Sequence, residues 1–217
     1  MKNNISKAYK DSKNYYDDIL TQSSFISKAY NKIFWSGTQD LEIANKILSN
    51  IPDDFNGKIL DVPVGTAVFT KDKWKELKNS IITCLDISID MLEKAKERIN
   101  ELNINLIKGD VGNLPFEDNS FDIVLSMNGF HAFPDKDKAF KEITRVLKKG
   151  GYFIGCFYIK GESRITDWLV NIILSKKGWF NPPFYTKNEV QQLLSSKYFN
   201  INLNVDGSIV YFSCIKS

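Results

Sequence analysis

Ile59, Leu60 and Val62 form a short apolar run broken at once by Pro63 and Gly65, and no other stretch of this 217-residue chain constrains its fold so tightly. The run is too short for a helix and is bounded by turn residues, so it reads as a buried strand. A helical pattern begins near Thr66, which predicts strand, tight turn, then helix. That order leaves backbone N–H groups free at the helix N-terminus and opens a crevice beyond the carboxyl end of the strand. Asp61 sits at this strand end, where a carboxylate can reach a cationic amino group or a bound water. The turn alone is not diagnostic. A dinucleotide-binding turn needs three glycines, and positions 63, 65 and 67 hold Pro, Gly and Ala.

Downstream the same rhythm repeats. Ile81 to Asp86 reads as a second buried strand ending in a carboxylate, and Ser88 is placed to cap a helix carrying Met91, Leu92, Ala95 and Ile99. Asn105 to Lys108 is a third strand, ending at Gly109-Asp110-Val111, and Asp122 to Ser126 a fourth, running out through Met127-Asn128-Gly129. A helix over Asp135 to Lys148, stopped by Gly150-Gly151, leads into a fifth strand, Tyr152 to Tyr158. Strands alternating with helices predict a parallel sheet with helices on both faces.

The ends of the chain depart from this rhythm. Residues 1–50 are helical in pattern and carry scattered aromatics. These either pin helices to the domain or, with Tyr16, Tyr30 and Trp35 as candidates, close over a pocket. Between 160 and 185 an apolar helix, Ile165 to Leu174, precedes an aromatic stretch containing Trp179 and Phe184, too long for a simple loop. Thr186 with Glu189 forms a capping box for the next helix, and Tyr198 to Val205 with Ile209 to Ile215 read as a closing hairpin. One domain is expected: a helical cap (1–50), a core (57–158), an insertion (160–185), and a final helix and hairpin (186–217).

Composition narrows the partners. Basic residues are interleaved with acidic ones to a net charge of only +3, so no phosphate-binding stripe is present and nucleic acid is not expected. Arg occurs only at 98, 145 and 164, which disfavours bidentate phosphate recognition, and the run Glu93 to Arg98 reads as a solvated helix face. Cys84, Cys156 and Cys214 are odd in number and widely spaced, so they read as reduced, buried thiols and no metal site is expected. Met1 to Ser6 lack the apolar core of a signal peptide, and no apolar run approaches the roughly 20 residues needed to span a bilayer. A cytoplasmic protein without a membrane partner is expected, its oligomeric state open.

Asp61, Asp86 and Asp110 stand at successive strand ends, 25 and then 24 residues apart. Each alone is an ordinary turn residue or cap. In register they suit an adenosine: Asp86 can accept two ribose hydroxyls, Asp110 an exocyclic amine, and Val111 can offer its backbone N–H to a ring nitrogen. Five motifs in this order resemble the class I S-adenosylmethionine-dependent methyltransferases of small-molecule type. They are Asp61 to Ala67, Asp86-Ile87-Ser88, Gly109 to Phe116, Phe121 to Ser126, and Arg145 to Phe153.

That resemblance covers about residues 57–158. It implies a doubly wound, Rossmann-like, mostly parallel seven-stranded sheet with an antiparallel C-terminal hairpin strand. The N-terminal helices and the insertion after strand five would cap the active site. It further implies that Asp61, Pro63, Gly65 and Thr66 hold the methionine end of S-adenosyl-L-methionine. Asp86, Ile87 and Met91 would hold the ribose, Asp110 and Val111 the base, and Met127 and Asn128 the sulfonium. Pro63 and Ala67 depart from the family's glycines: Pro63 removes a backbone donor, while Ala67 adds only a methyl to helix packing. His131 either deprotonates an acceptor hydroxyl or is a structural hydrogen-bonding residue.

The function implied is methyl transfer to a small-molecule acceptor, whose pocket would include Tyr16, Tyr30, Trp35, Trp179 and Phe184. A second reading is a protein that binds S-adenosylmethionine or S-adenosylhomocysteine without transferring methyl groups. A nicotinamide-dependent oxidoreductase is disfavoured because the turn lacks its glycines.

Overall fold

A computed structural model of the protein describes residues 40–100 and 102–217. Tyr16, Tyr30 and Trp35, with most of the expected N-terminal cap, lie outside the described residues. The described elements run α1 (Asp40–Leu48), β1 (Lys58–Asp61), α2 (Lys71–Glu76), β2 (Ile81–Asp86), α3 (Ile89–Ile99), β3 (Ile104–Lys108) and β4 (Phe121–Met127). They continue with α4 (Lys136–Val146), β5 (Leu147–Tyr158), α5 (Arg164–Leu169), a π-helical turn (Val170–Leu174), α6 (Lys187–Ser195), β6 (Tyr198–Asp206) and β7 (Ile209–Lys216).

The strands form one seven-stranded sheet in the order β3-β2-β1-β4-β5-β7-β6. β1 pairs in parallel with both β2 and β4, in register Leu60 with Thr83 and Leu60 with Val124. β7 alone runs antiparallel, pairing with β5 on one side and β6 on the other. The chain leaves β1 toward β2 and later returns to β4, so the order reverses at β1 and a crevice opens beyond its carboxyl end.

Alternating side chains build two apolar layers from the same strands. Ile59, Cys84, Ile123, Leu125 and Ile154 face α1, α2 and α3 through Ile43, Ile47, Trp74, Ala95 and Ile99. Leu60, Leu85, Val124 and Phe153 face α4 and α6 through Phe140, Ile143, Val190 and Leu194. Leu60 and Val124 are fully buried, and Leu60→Ala would cost about 2–5 kcal/mol. The three cysteines are free and buried, with Cys84 and Cys156 on one face and Cys214 on the other. No helix among the described residues is long and apolar enough to cross a membrane.

The local signals at Ser88 and Thr186 are realised. The Ser88 hydroxyl accepts from Met91 N at 3.4 Å, and Thr186 and Glu189 complete a reciprocal capping box. Two boundaries differ from the sequence reading. The helix expected from Thr66 starts at Lys71, because Gly65 and Ala67 both take φ of 56° and hold residues 66–70 as turn. Ala67 therefore carries a left-handed backbone, worth about 1–2 kcal/mol against an L-residue, instead of merely adding a methyl. Likewise α4 ends at Val146, not at Gly150-Gly151. The glycine pair lies within β5 where its pairing with β4 jumps from Phe121–Leu147 to Ile123–Tyr152. A Cβ on Gly151 would sit 2.8 Å from the Asp122 carbonyl oxygen, which only glycine avoids.

Gly129 makes room for the first turn. A Cβ there would lie 2.5 Å from Pro63 Cδ and 2.6 Å from Phe133 Cζ. Gly129→Ala is expected to destabilise the protein by about 1–3 kcal/mol through this overpacking, read as a fall in the urea midpoint with an unchanged slope.

Candidate active site

The turn after β1 is tied to the strands on both sides. Val62 N donates to Leu125 O at 2.9 Å in β4, and Val64 N to Leu85 O at 3.0 Å in β2. Gly65 N then donates to Asp86 Oδ2 at 2.9 Å, and Ala67 N to Val64 O at 3.1 Å. The N–H groups of Val64, Gly65 and Ala67 are thus spent inside the protein. From α3, Arg98 Nη1 donates to Thr66 O at 2.8 Å. Arg98 is half-buried and holds the turn; it does not belong to a solvated face.

Beyond this turn opens a cleft whose free space, with its mouth and the adjoining solvent included, is about 990 Å3. Asp61, Pro63, Gly65, Thr66, Asp86, Ile87, Met91, Asp110, Val111, Met127 and Asn128 all line it. Their convergence follows from topology, since the carboxyl ends of β1, β2, β3 and β4 meet at one edge of the sheet. Sequence reasoning missed Phe69, Thr70, Phe133 and Pro134, which also line the cleft. Thr70 was hidden because the turn runs five residues longer than its helical pattern implies.

Two buried carboxylates dominate the electrostatics. Burial pushes Asp61 up to about 7, the nearby Asp86 charge adding slightly. Thr70 and Trp74 pull it the other way without reaching hydrogen-bond geometry. Asp61 Oδ2, Thr66 Oγ1 and Thr70 Oγ1 are all buried on cleft-lining residues and have no hydrogen-bond partner among the described residues. Unsatisfied buried polar atoms are costly, so this end of the cleft is built for a polar, positively charged guest. Asp86 is raised by burial to about 6, moderated by the N–H groups of Ser88, Gly65 and Ile87. Its Oδ1 accepts from Ser88 N and its Oδ2 from Gly65 N, each at 2.9 Å. Each carboxylate oxygen retains a further lone pair for a hydroxyl donor.

At the far end, Asp110 Oδ1 accepts from Gly112 N at 2.9 Å, closing its own turn. That turn is fastened from α4, where Glu142 Oε2 accepts from Leu114 N at 2.8 Å and Arg145 Nη1 and Nη2 donate to Phe116 O and Leu114 O. Asn128, with φ of 55°, donates its N–H to Cys156 O at 2.8 Å and turns the chain out of β4.

His131 lies elsewhere. It does not line the cleft; its Nδ1 accepts from Tyr158 N at 3.2 Å, and its ring stacks on Phe180 with centroids 4.1 Å apart. Burial, reinforced by the Lys136 charge, depresses it to about 3, so it is neutral and a weak base. Geometry and charge favour the structural reading. Trp179 and Phe184 do not reach the cleft either. Phe184 is buried edge-on to Tyr158 and Phe180, and Trp179 packs under Lys177 Nζ at 4.9 Å. Their apolarity serves the interior of the insertion.

Comparison with known proteins agrees with this architecture. Residues 60–155 match the family described as "Methyltransferase domain". The chain is 46% identical over 99 residues to a demethylmenaquinone methyltransferase of Staphylococcus haemolyticus, covering 45% of this chain and 41% of that protein. It is 35% identical over 112 residues to 2-methyl-6-phytyl-1,4-hydroquinone methyltransferase 1 of Oryza sativa subsp. japonica, covering 52% of this chain and 33% of that one. The chain therefore spans less than half the length of either relative. Among solved structures, phosphoethanolamine N-methyltransferase 2 of Haemonchus contortus, in complex with S-adenosyl-L-methionine, superposes with a TM-score of 0.68. It shares 18% identity, over 87% of this chain and 56% of that one, which establishes likeness of fold.

The raised Asp61 carries a stability consequence. A carboxyl whose folded pKa lies above its unfolded value supports the fold below the unfolded pKa, and that support is lost as pH rises through the folded one. The ligand-free protein is therefore expected to lose stability from about pH 4 to pH 7. Asp61→Asn should be more stable than wild type at pH 8, on the order of 2 kcal/mol, by urea unfolding at each pH.

Proposed function

We propose that residues 60–155 are a class I S-adenosylmethionine-dependent methyltransferase domain and that this chain methylates a small-molecule acceptor. The observation that carries the reading is the cleft itself. Unsatisfied polar atoms on Asp61, Thr66 and Thr70 gather at one end, with Asp86 and Asp110 following at the next two strand ends. In this reading Asp61 holds the ammonium of the methionine moiety, Asp86 accepts the ribose hydroxyls, and Asp110 with Val111 takes the adenine edge. Ile87 and Met91 flank the ribose. Pro63, Gly65 and Thr66 shape the turn beside the methionine end, and Met127 and Asn128 border the reacting centre.

When bound, S-adenosylmethionine supplies an electrophilic methyl on a positively charged sulfur. The protein's share of the chemistry is positioning and water exclusion. Phe133, Pro134 and Met127 present apolar walls at the reacting end, where a positive charge is poorly solvated. His131 supplies no base here, so the acceptor is a group that is nucleophilic without one, or that brings its own acidity. The names of two relatives, a demethylmenaquinone and a hydroquinone methyltransferase, support an acceptor of quinone or hydroquinone type. In the same reading, residues 160–185 belong to one methyltransferase domain and back the loop that borders the acceptor, through Asn181 on Ala132 and His131. The three buried free thiols support a reducing, cytoplasmic location.

Calorimetric titration with S-adenosylhomocysteine, followed by labelled methyl transfer to a panel of hydroquinones, tests the proposal. Micromolar binding at pH 8 is expected, lost in Asp86→Ala. Because the ligand ammonium requires an ionised Asp61, affinity should fall about tenfold per unit as pH drops below 7. Absence of binding to wild type would overturn the cofactor assignment. Binding without transfer to any acceptor would leave a non-catalytic S-adenosylmethionine-binding protein.

A further inference from the structure

The helical insertion after β5 is apolar on both sides. Its inner side, Thr166, Val170 and Leu174, is buried against the protein. Its outer side shows Ile165 at 70%, Trp168 at 58%, Ile172 at 41% and Ile173 at 42% exposure. Positions 165, 168 and 172 recur at helical spacing, so they share one outward stripe. A helix apolar all round is ordinarily buried all round.

The charges bordering this stripe say what covers it. Arg164 stands exposed at its start and Lys176 and Lys177 at its end, while Glu162 is the exposed carboxylate of the segment. The other acid, Asp167, is half-buried and committed inward: its Oδ1 accepts from Tyr158 Oη at 2.6 Å and its Oδ2 from Gly161 N at 3.0 Å. An apolar stripe with an exposed indole, framed by cations, matches the interface of an anionic bilayer. A second copy paired face to face would instead bring the cations at the ends of one stripe near those of the other.

We propose that the outer face of residues 164–177 docks peripherally on anionic lipid. Ile165, Trp168, Ile172 and Ile173 enter the headgroup boundary, and Arg164, Lys176 and Lys177 meet lipid phosphates. The insertion leaves the carboxyl end of β5, so docking brings the lipid surface to the edge of the sheet on which the cleft opens. Residue pattern alone points to no membrane partner. The outward stripe becomes visible only once the inner face is known to be filled by Thr166, Val170 and Leu174.

Sedimentation of the full chain with phosphatidylcholine vesicles, with and without phosphatidylglycerol, tests the proposal. The chain is expected to pellet with the anionic vesicles and to be released by salt. Trp168→Glu/Ile172→Glu should abolish pelleting, and Lys176→Gln/Lys177→Gln should weaken it about fivefold per charge removed. Neither variant should alter the melting temperature without lipid. Failure to pellet, or equal pelleting of Trp168→Glu/Ile172→Glu, would overturn lipid docking. So would a dimer that this variant dissociates, which assigns the face to a second copy.

Discussion

The Asp86 carboxylate organises the site. One of its oxygens accepts the Gly65 N–H from the turn after β1, and the other accepts the Ser88 N–H at the start of α3. A buried carboxylate is tolerated when backbone N–H groups converge on it, and here those groups come from two separate segments. The turn and the helix are thereby joined through a single side chain. Arg98, at the other end of α3, closes the loop by holding Thr66 O. The first turn needs no glycine-rich fingerprint to keep its shape, because its backbone is tied to β2, β4 and α3. This explains how Pro63 and Ala67 are accommodated where the family pattern carries glycine.

Much of this was readable from residues. Strand-end carboxylates repeating every 24 or 25 residues reflect a strand-helix unit of fixed length, and the doubly wound order brings consecutive strand ends to one edge. All residues expected around the cofactor accordingly line the cleft. Boundaries were less legible. Ala67 adopts a left-handed backbone that no helical pattern reveals, and Gly150-Gly151 resemble a helix stop while serving a strand irregularity. Arg98 resembled one more solvated cation because its partner lies 32 residues away. Trp179 and Phe184 show a deeper limit. Aromatic side chains that line a pocket and those that fill a core are selected by the same transfer free energy, so composition cannot separate them.

The reacting end of the cleft and the insertion are mechanically continuous. Asn181 Nδ2 donates to Ala132 O at 2.6 Å and its N–H to His131 O at 2.8 Å, while Lys136 Nζ reaches the carbonyls of Phe133 and Asn181. Burial lowers Lys136 to about 8, an indication of how much this ammonium gives up to sit between the two segments. His131 belongs to the same junction, its ring stacked beneath Phe180. The only histidine in the chain is thus held by Tyr158 N and Phe180 at the joint between the two segments.

The contact between Pro63 and Gly129 has a consequence for how such a turn can change over generations. The proline ring occupies the space that a side chain at position 129 would need, so the two positions do not vary independently. Phe133 and Ser126 crowd the same space, so a larger residue at 129 would press on the first turn, the loop after β4 and the strand end at once.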